Sequence, residues 1–141
     1  MTNPASSATR AQLEPFQARS LGLSLTVKDF ARSFAWYTEV LGFAKARDFV
    51  REGVVTGAAL TAGDVELSLN QDDGKKGKDR VLGQGFSIRL TTDQNIDEVA
   101  ARVMDAGGKL DSEPADMPWG ARIFTITDPD GYRFVVSSPR R

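Results

Sequence analysis

The chain has 141 residues, 40% hydrophobic and 26% charged, with a formal net charge of −1. That suits one ordinary domain with room for a real core, and it carries no basic footprint for nucleic acid. Cysteine and histidine are both absent, which excludes disulfides, thiolate or imidazole metal sites, cysteine nucleophiles and any histidine-based triad or general base.

No run approaches the roughly 18 apolar residues of a membrane span. Residues 1–20 contain no apolar signal-like core, so the cytoplasm is the expected compartment and the membrane is not an expected partner. Residues 1–19 carry Pro4, Pro15 and small polar residues without periodicity. They read as a flexible arm that Phe16 docks locally or onto a partner subunit.

LGLSLTV follows, with Leu21, Leu23, Leu25 and Val27 alternating with Gly22, Ser24 and Thr26. This is the pattern of a half-buried strand. Asp29 is placed to cap a helix. Phe30, Phe34, Tyr37 and Leu41 then fall on one helical face, and Gly42 is its natural terminator. Trp36 lies off that stripe and either flanks the core or meets a partner. Strand-like pieces at 45–50, 54–60 and 65–69 follow, with turns at Gly53 and Gly63. Residues 71–84 are polar, glycine-rich and charged, which predicts an exposed linker with solvated lysines.

The pattern then repeats. Ile88 and Leu90 alternate with Ser87, Arg89 and Thr91. A helix is predicted over 96–106, with Ile96, Val99, Ala100 and Val103 on one stripe and Gly107 as terminator. Strands are predicted at 109–110, 122–127 and 132–137, and DPDG at 128–131 is a strong turn signal. Asp128 and Asp130 read as turn residues rather than a metal pair. An offset of about 65 residues pairs Gly22 with Ser87 and Gly42 with Gly107.

The fold class predicted is therefore α+β. Two tandem βαβββ modules form one domain over 20–138, with curved mixed sheets around a cleft and helices on the outer faces. Module 1 runs about 20–70, the linker 71–84 and module 2 about 85–138. The polar alternate residues of each sheet are left to line the cleft.

Four segments together resemble the vicinal-oxygen-chelate superfamily of glyoxalase I, extradiol dioxygenases, fosfomycin-resistance enzymes and bleomycin-resistance proteins. They are LSLTVKDFARSFAWYTEVLGF, GDVELSLNQ, GFSIRL and MPWGARIFTITDPDGYRFVVSS. PWG, Arg122 and DPDG are most similar to the bleomycin-resistance and glyoxalase-like branch. The resemblance implies four metal-ligand positions on the concave strands. Here they fall at Gly22, Glu66, Ser87 (Phe86 if counted from Gly85) and Val135. Only Glu66 keeps a strong donor, and one carboxylate does not hold a catalytic divalent ion against water. No metal and no cofactor are therefore expected.

What the resemblance leaves is a cleft that binds a small organic ligand, such as an antibiotic or another aromatic or cationic compound, without transforming it. Homodimers are usual among proteins of this kind, often with the cleft between chains. The alternative is a lyase, isomerase or dioxygenase with a non-standard metal site, or with Glu66 as general base made stronger by burial. Trp119 either stacks a flat ligand or caps the core edge. Glu66 either meets a ligand or pairs with Arg89 or Arg122. Arg89 and Arg122 either clamp an anionic group or neutralise Glu66. Ser24, Thr26, Ser68, Ser87 and Ser137 are expected wall hydroxyls.

Overall fold

The structure is a computed structural model, and it describes residues 14–139. Each half begins with an alternating strand. β1 (Leu23–Val27) leads into α1 (Phe30–Ala35), which runs on into a π-helical turn (Trp36–Val40). β2 (Ala44–Arg51), β3 (Val54–Ala62) and β4 (Val65–Gln71) complete the first half. β5 (Ile88–Thr91), α2 (Ile96–Asp105), β6 (Leu110–Asp116), β7 (Ala121–Thr127) and β8 (Arg133–Pro139) repeat it. The sheet orders match, β1-β4-β3-β2 and β5-β8-β7-β6. The outer pairs β1–β4 and β5–β8 are parallel and the rest antiparallel.

The duplication reaches into local chemistry. Asp29 and Asn95 both cap their helices, accepting from the backbone N–H of Arg32 and Glu98. Gly42 and Gly107 follow the two helical segments at φ +92° and +96°, backbone that only glycine takes without strain. β1 and β5 begin at Leu23 and Ile88, one residue after Gly22 and Ser87, which is the register that the sequence repeat predicts.

Strand alternation divides each sheet into two faces. In the first, Leu25 pairs with Leu69 and Leu69 with Ala58, all buried. Ser24, Ser68, Ala59 and Arg47 form the opposite row. In the second, Ile88, Phe134, Ile126 and Leu110 line the apolar face, and Arg89, Val135, Thr125 and Ser112 the other. The apolar faces and helices share one core. The helical segment of the first module is more than a cover for its own sheet. The Tyr37 ring meets Phe43 at 6.2 Å and Phe134 of the second sheet at 5.8 Å. Trp36 also reaches Phe134, at 6.3 Å. The π turn, closed by Leu41 N–H to the Trp36 carbonyl at 3.0 Å, sits at this junction.

DPDG is the turn that its composition predicts, with Gly131 at φ +101°. Its carboxylates also bind the modules together. Buried Asp128 accepts from the Tyr37 hydroxyl at 2.6 Å and from the backbone N–H of Asp130 and Tyr132, each at 2.8 Å. Asp130 accepts from Lys28 N–H at 3.2 Å, Arg32 Nη2 at 2.9 Å and Ser33 Oγ at 3.3 Å. The Tyr132 hydroxyl returns to the Thr26 carbonyl at 2.8 Å.

Three expectations need correction. Residues 111–116, outside the strands predicted at 109–110 and 122–127, belong to β6; this edge strand is polar and holds Pro114, so it lacks the alternation of a covered strand. Leu21 is 92% exposed and precedes the strand it was assigned to. The linker is not solvated throughout, because Leu82 is buried and Gly83 lies directly against the Gly131 carbonyl. Of the predicted arm, residues 14–19 form no helix or strand and leave Phe16 exposed; residues 1–13 lie outside the described residues.

Candidate ligand-binding site

The polar face of the first sheet carries three of the predicted contacts, Ser24, Glu66 and Ser68, with Asn70 and Arg47 beside them. Asn70 Nδ2 donates to Ser24 Oγ at 2.7 Å. Ser68 lies level with Ser24 on the adjacent strand. Glu66 stands half exposed near the start of β4 and pairs with Arg47 Nη2 at 3.7 Å. Arg47 in turn lies 5.7 Å from the centre of the Phe49 ring. The ion-pair partner of Glu66 is therefore Arg47 on β2, not Arg89 or Arg122. Sequence reading missed Arg47 because it lies two strands away, in a stretch where a β-bulge shifts the alternation.

A hollow of about 210 Å3 opens beside Glu66, lined by Ser20, Leu21, Gly22, Leu23, Asp64, Glu66, Leu67 and Ser68. A Cβ added at Gly22 would meet nothing within 4 Å, so the first ligand position of the resemblance faces open space. This hollow is smaller than the roughly 300–1,000 Å3 of typical small-molecule pockets. No residue of the second module lines it.

The second sheet supplies Arg89, exposed and level with Val135. Next along that row comes Thr125, buried and hydrogen-bonded to Ser112 at 2.7 Å. Ser137, also buried, stands one step along with Thr91 and Ile123. Ser87 is exposed just before β5. Phe86 turns against Tyr132 at 6.1 Å. Trp119 occupies the tip of the β6–β7 hairpin and is 66% exposed, so it does not cap the core.

Arg122 belongs elsewhere. It alternates with Phe124 and Ile126 and so lies on the helix-side face. There its guanidinium clamps Asp97 at 2.8 and 3.0 Å and Asp116 at 3.1 Å. Its hydrogen bond holds the Asp97 carboxyl below its ordinary range. A hollow of about 190 Å3 at this end of α2 is lined by Arg122 and Asp97 with Gln94, Asn95, Ile96, Ser138 and Pro139. Arg122 shares neither face nor hollow with Glu66 or Arg89.

The donor set does not fit a resident divalent metal. Gly22 and Val135 offer no donor and Ser87 a poor one, while Glu66 is already paired. No group of three acidic side chains gathers among the described residues. Two guanidinium side chains, Arg89 and Arg133, stand on the second polar face instead.

Comparison with known proteins bears on the fold and the family. The family model described as the Glyoxalase/Bleomycin resistance protein/Dioxygenase superfamily matches residues 19–136. A protein named lactoylglutathione lyase GLX1 from Arabidopsis thaliana is 27% identical over 82% of this chain, which spans 42% of that protein's length. A probable lactoylglutathione lyase from Synechocystis is 27% identical over 77% of this chain and 86% of its own. Among solved structures, TioX from Micromonospora superposes with a TM-score of 0.70 at 20% identity, covering 86% of this chain and 99% of its own. A glyoxylase/bleomycin resistance protein/dioxygenase domain from Frankia does so at 0.70 and 21%, covering 89% and 95%. At those identities, the two structures speak to the fold.

Proposed function

The chain belongs to the glyoxalase/bleomycin resistance protein/dioxygenase superfamily, and we propose that within it this protein binds a small aromatic molecule without a resident metal ion. One observation carries the reading. At the four positions where the superfamily resemblance calls for metal ligands, the chain presents a single carboxylate, Glu66, and that carboxylate is engaged by Arg47. What remains on the polar faces and beside them is suited to an organic guest: hydroxyls at Ser24 and Ser68, the Arg89 guanidinium, the exposed Ser87 just before β5, and an uncovered indole at Trp119 on the β6–β7 hairpin tip.

We further propose that the site is completed by a second copy of the chain. The two apolar faces share one core, which turns both polar faces away from it. The hollow beside Glu66 is small and built from one module alone. A homodimer that lays the second-module face of one copy over the first-module face of another would enclose a guest. Sedimentation of the purified protein tests the dimer. Titration of a broad panel of aromatic compounds, bleomycin included, tests the binding; saturable binding of one class supports the reading, and none across the panel overturns it.

A second reading draws on the names of the curated relatives. They are called lactoylglutathione lyases, which favours a lyase or isomerase with Glu66 as base. The burial that this role required is missing in the single chain, where Glu66 is half exposed and paired. Glu66→Gln separates the two readings. It abolishes any lyase turnover if Glu66 is the base and leaves binding largely intact if the protein is a binder.

A further inference from the structure

The charges on the two polar faces do not balance. On the first sheet, Glu66 and Arg47 pair with each other, the strand neighbours Ser24, Ser68, Asn70 and Thr61 are uncharged, and Asp64, in the turn before β4, adds one carboxylate to the lining of the hollow. On the second sheet, Arg89 lies beside Val135, with Thr125 beyond it and Thr91, Ser137 and Ile123 in the next row. None of these bears a negative charge. Among the described residues, Arg89 enters no ion pair. Towards the far end of the face stand Arg133 and Asp111, and Asp111 accepts from the Thr127 hydroxyl. The face thus holds an unpaired guanidinium over a floor of one valine, one isoleucine and several hydroxyls.

A guanidinium presents a planar fork of donors that matches a carboxylate in two parallel hydrogen bonds. The apolar floor beside it suits a hydrocarbon body. We infer that the guest is an aromatic carboxylate, its anionic group held by Arg89 and its ring laid against Val135 and Ile123. This rests on the reading of the polar faces as a binding surface. It reverses the charge of guest that an uncompensated Glu66 would select, because a cationic guest laid on the second face would meet Arg89, and Glu66 on the first face has Arg47 as its partner.

The test is isothermal titration of the full-length protein with three guests that share one ring system: naphthoate, naphthylmethanol and naphthylmethylammonium. The inference predicts that naphthoate binds tightest. Arg89→Gln should weaken naphthoate about tenfold or more and leave the alcohol unchanged, with Arg89→Lys recovering part of the loss. Raised salt should weaken naphthoate alone. Tightest binding of the ammonium guest, or an equal loss for all three guests in Arg89→Gln, overturns the inference and leaves the binding reading standing. If none of the three binds, the inference falls, and the binding reading is decided separately by the broad panel.

Discussion

The Tyr37 hydroxyl donates to the buried Asp128 carboxylate at 2.6 Å, joining the helical segment of the first module to the turn before the last strand of the second. Both groups are buried, so neither can turn to water if the other is lost. Tyr37→Phe removes one of three donors to Asp128 and should cost about 1–2 kcal/mol. Asp128→Ala leaves a hydroxyl and two backbone N–H groups without partners and should cost about 3 kcal/mol or more. Urea denaturation of both single variants and the double variant checks this, and the double should fall short of additivity by about 1 kcal/mol.

The same pair sets a pH dependence at both ends. Burial raises the Tyr37 pKa, and the neighbouring Asp128 raises it further. The folded state therefore keeps a proton that the unfolded state gives up near pH 10, and stability falls as the pH climbs beyond that value. Burial also raises Asp128, against the hydrogen bonds it accepts. Its contribution is greatest below the ordinary carboxylate value of 3.8 and declines as the pH rises through the higher folded value. Tyr37→Phe should flatten the alkaline limb of a stability–pH curve. Relative to Asp128→Asn, the natural chain should gain stability as the pH falls from neutral toward 3.8.

Gly83 and Gly85 offer a matched pair. Both have positive φ, +78° and +88°. A Cβ at Gly85 would meet nothing within 4 Å, whereas one at Gly83 would run into the Gly131 carbonyl. Gly85→Ala should cost only the left-handed backbone strain, about 1–2 kcal/mol. Gly83→Ala should lose roughly 1–3 kcal/mol beyond that, through overpacking that pries the linker off the DPDG turn. Melting temperatures of the two variants give the comparison.

Arg122 stabilises the entry to α2 and stands apart from the guest. Asp97 is held below its ordinary value by the Arg122 hydrogen bond. The stability it contributes is present above that ordinary value, 3.8, and is lost as the pH falls through the lower folded value. Arg122→Gln should therefore be less stable at neutral pH, and the gap should close below about pH 4. Affinity for an aromatic guest should not change, a result read by titrating the variant beside the natural chain.

Much of this architecture was legible in the sequence because local signals agree with the tertiary outcome. The alternation through Leu23, Leu25 and Val27, and the paired terminators Gly42 and Gly107, state the duplicated unit and its register directly. β6 was not legible, because an edge strand with Pro114 needs no hydrophobic alternation. The site was legible only in part. Which residues share a face follows from alternation, and that placed Ser24, Glu66 and Ser68 together. Partnership across strands does not follow, and so Arg47 was missed as the partner of Glu66 and Asp97 as the partner of Arg122. The two carboxylates of DPDG belong to a turn, as the composition of that stretch predicts. Their second task, holding Tyr37 and Arg32 from 91 and 98 positions away, is a tertiary fact that no local pattern carries.

The most direct test of the central claim is a titration of the metal-stripped protein with an aromatic guest, followed by tryptophan fluorescence in excess chelator. The claim predicts saturable quenching of the same affinity with and without chelator, most of it lost in Trp119→Phe while Trp36 still emits. Quenching that vanishes in chelator and returns only when a divalent metal ion is added would contradict it.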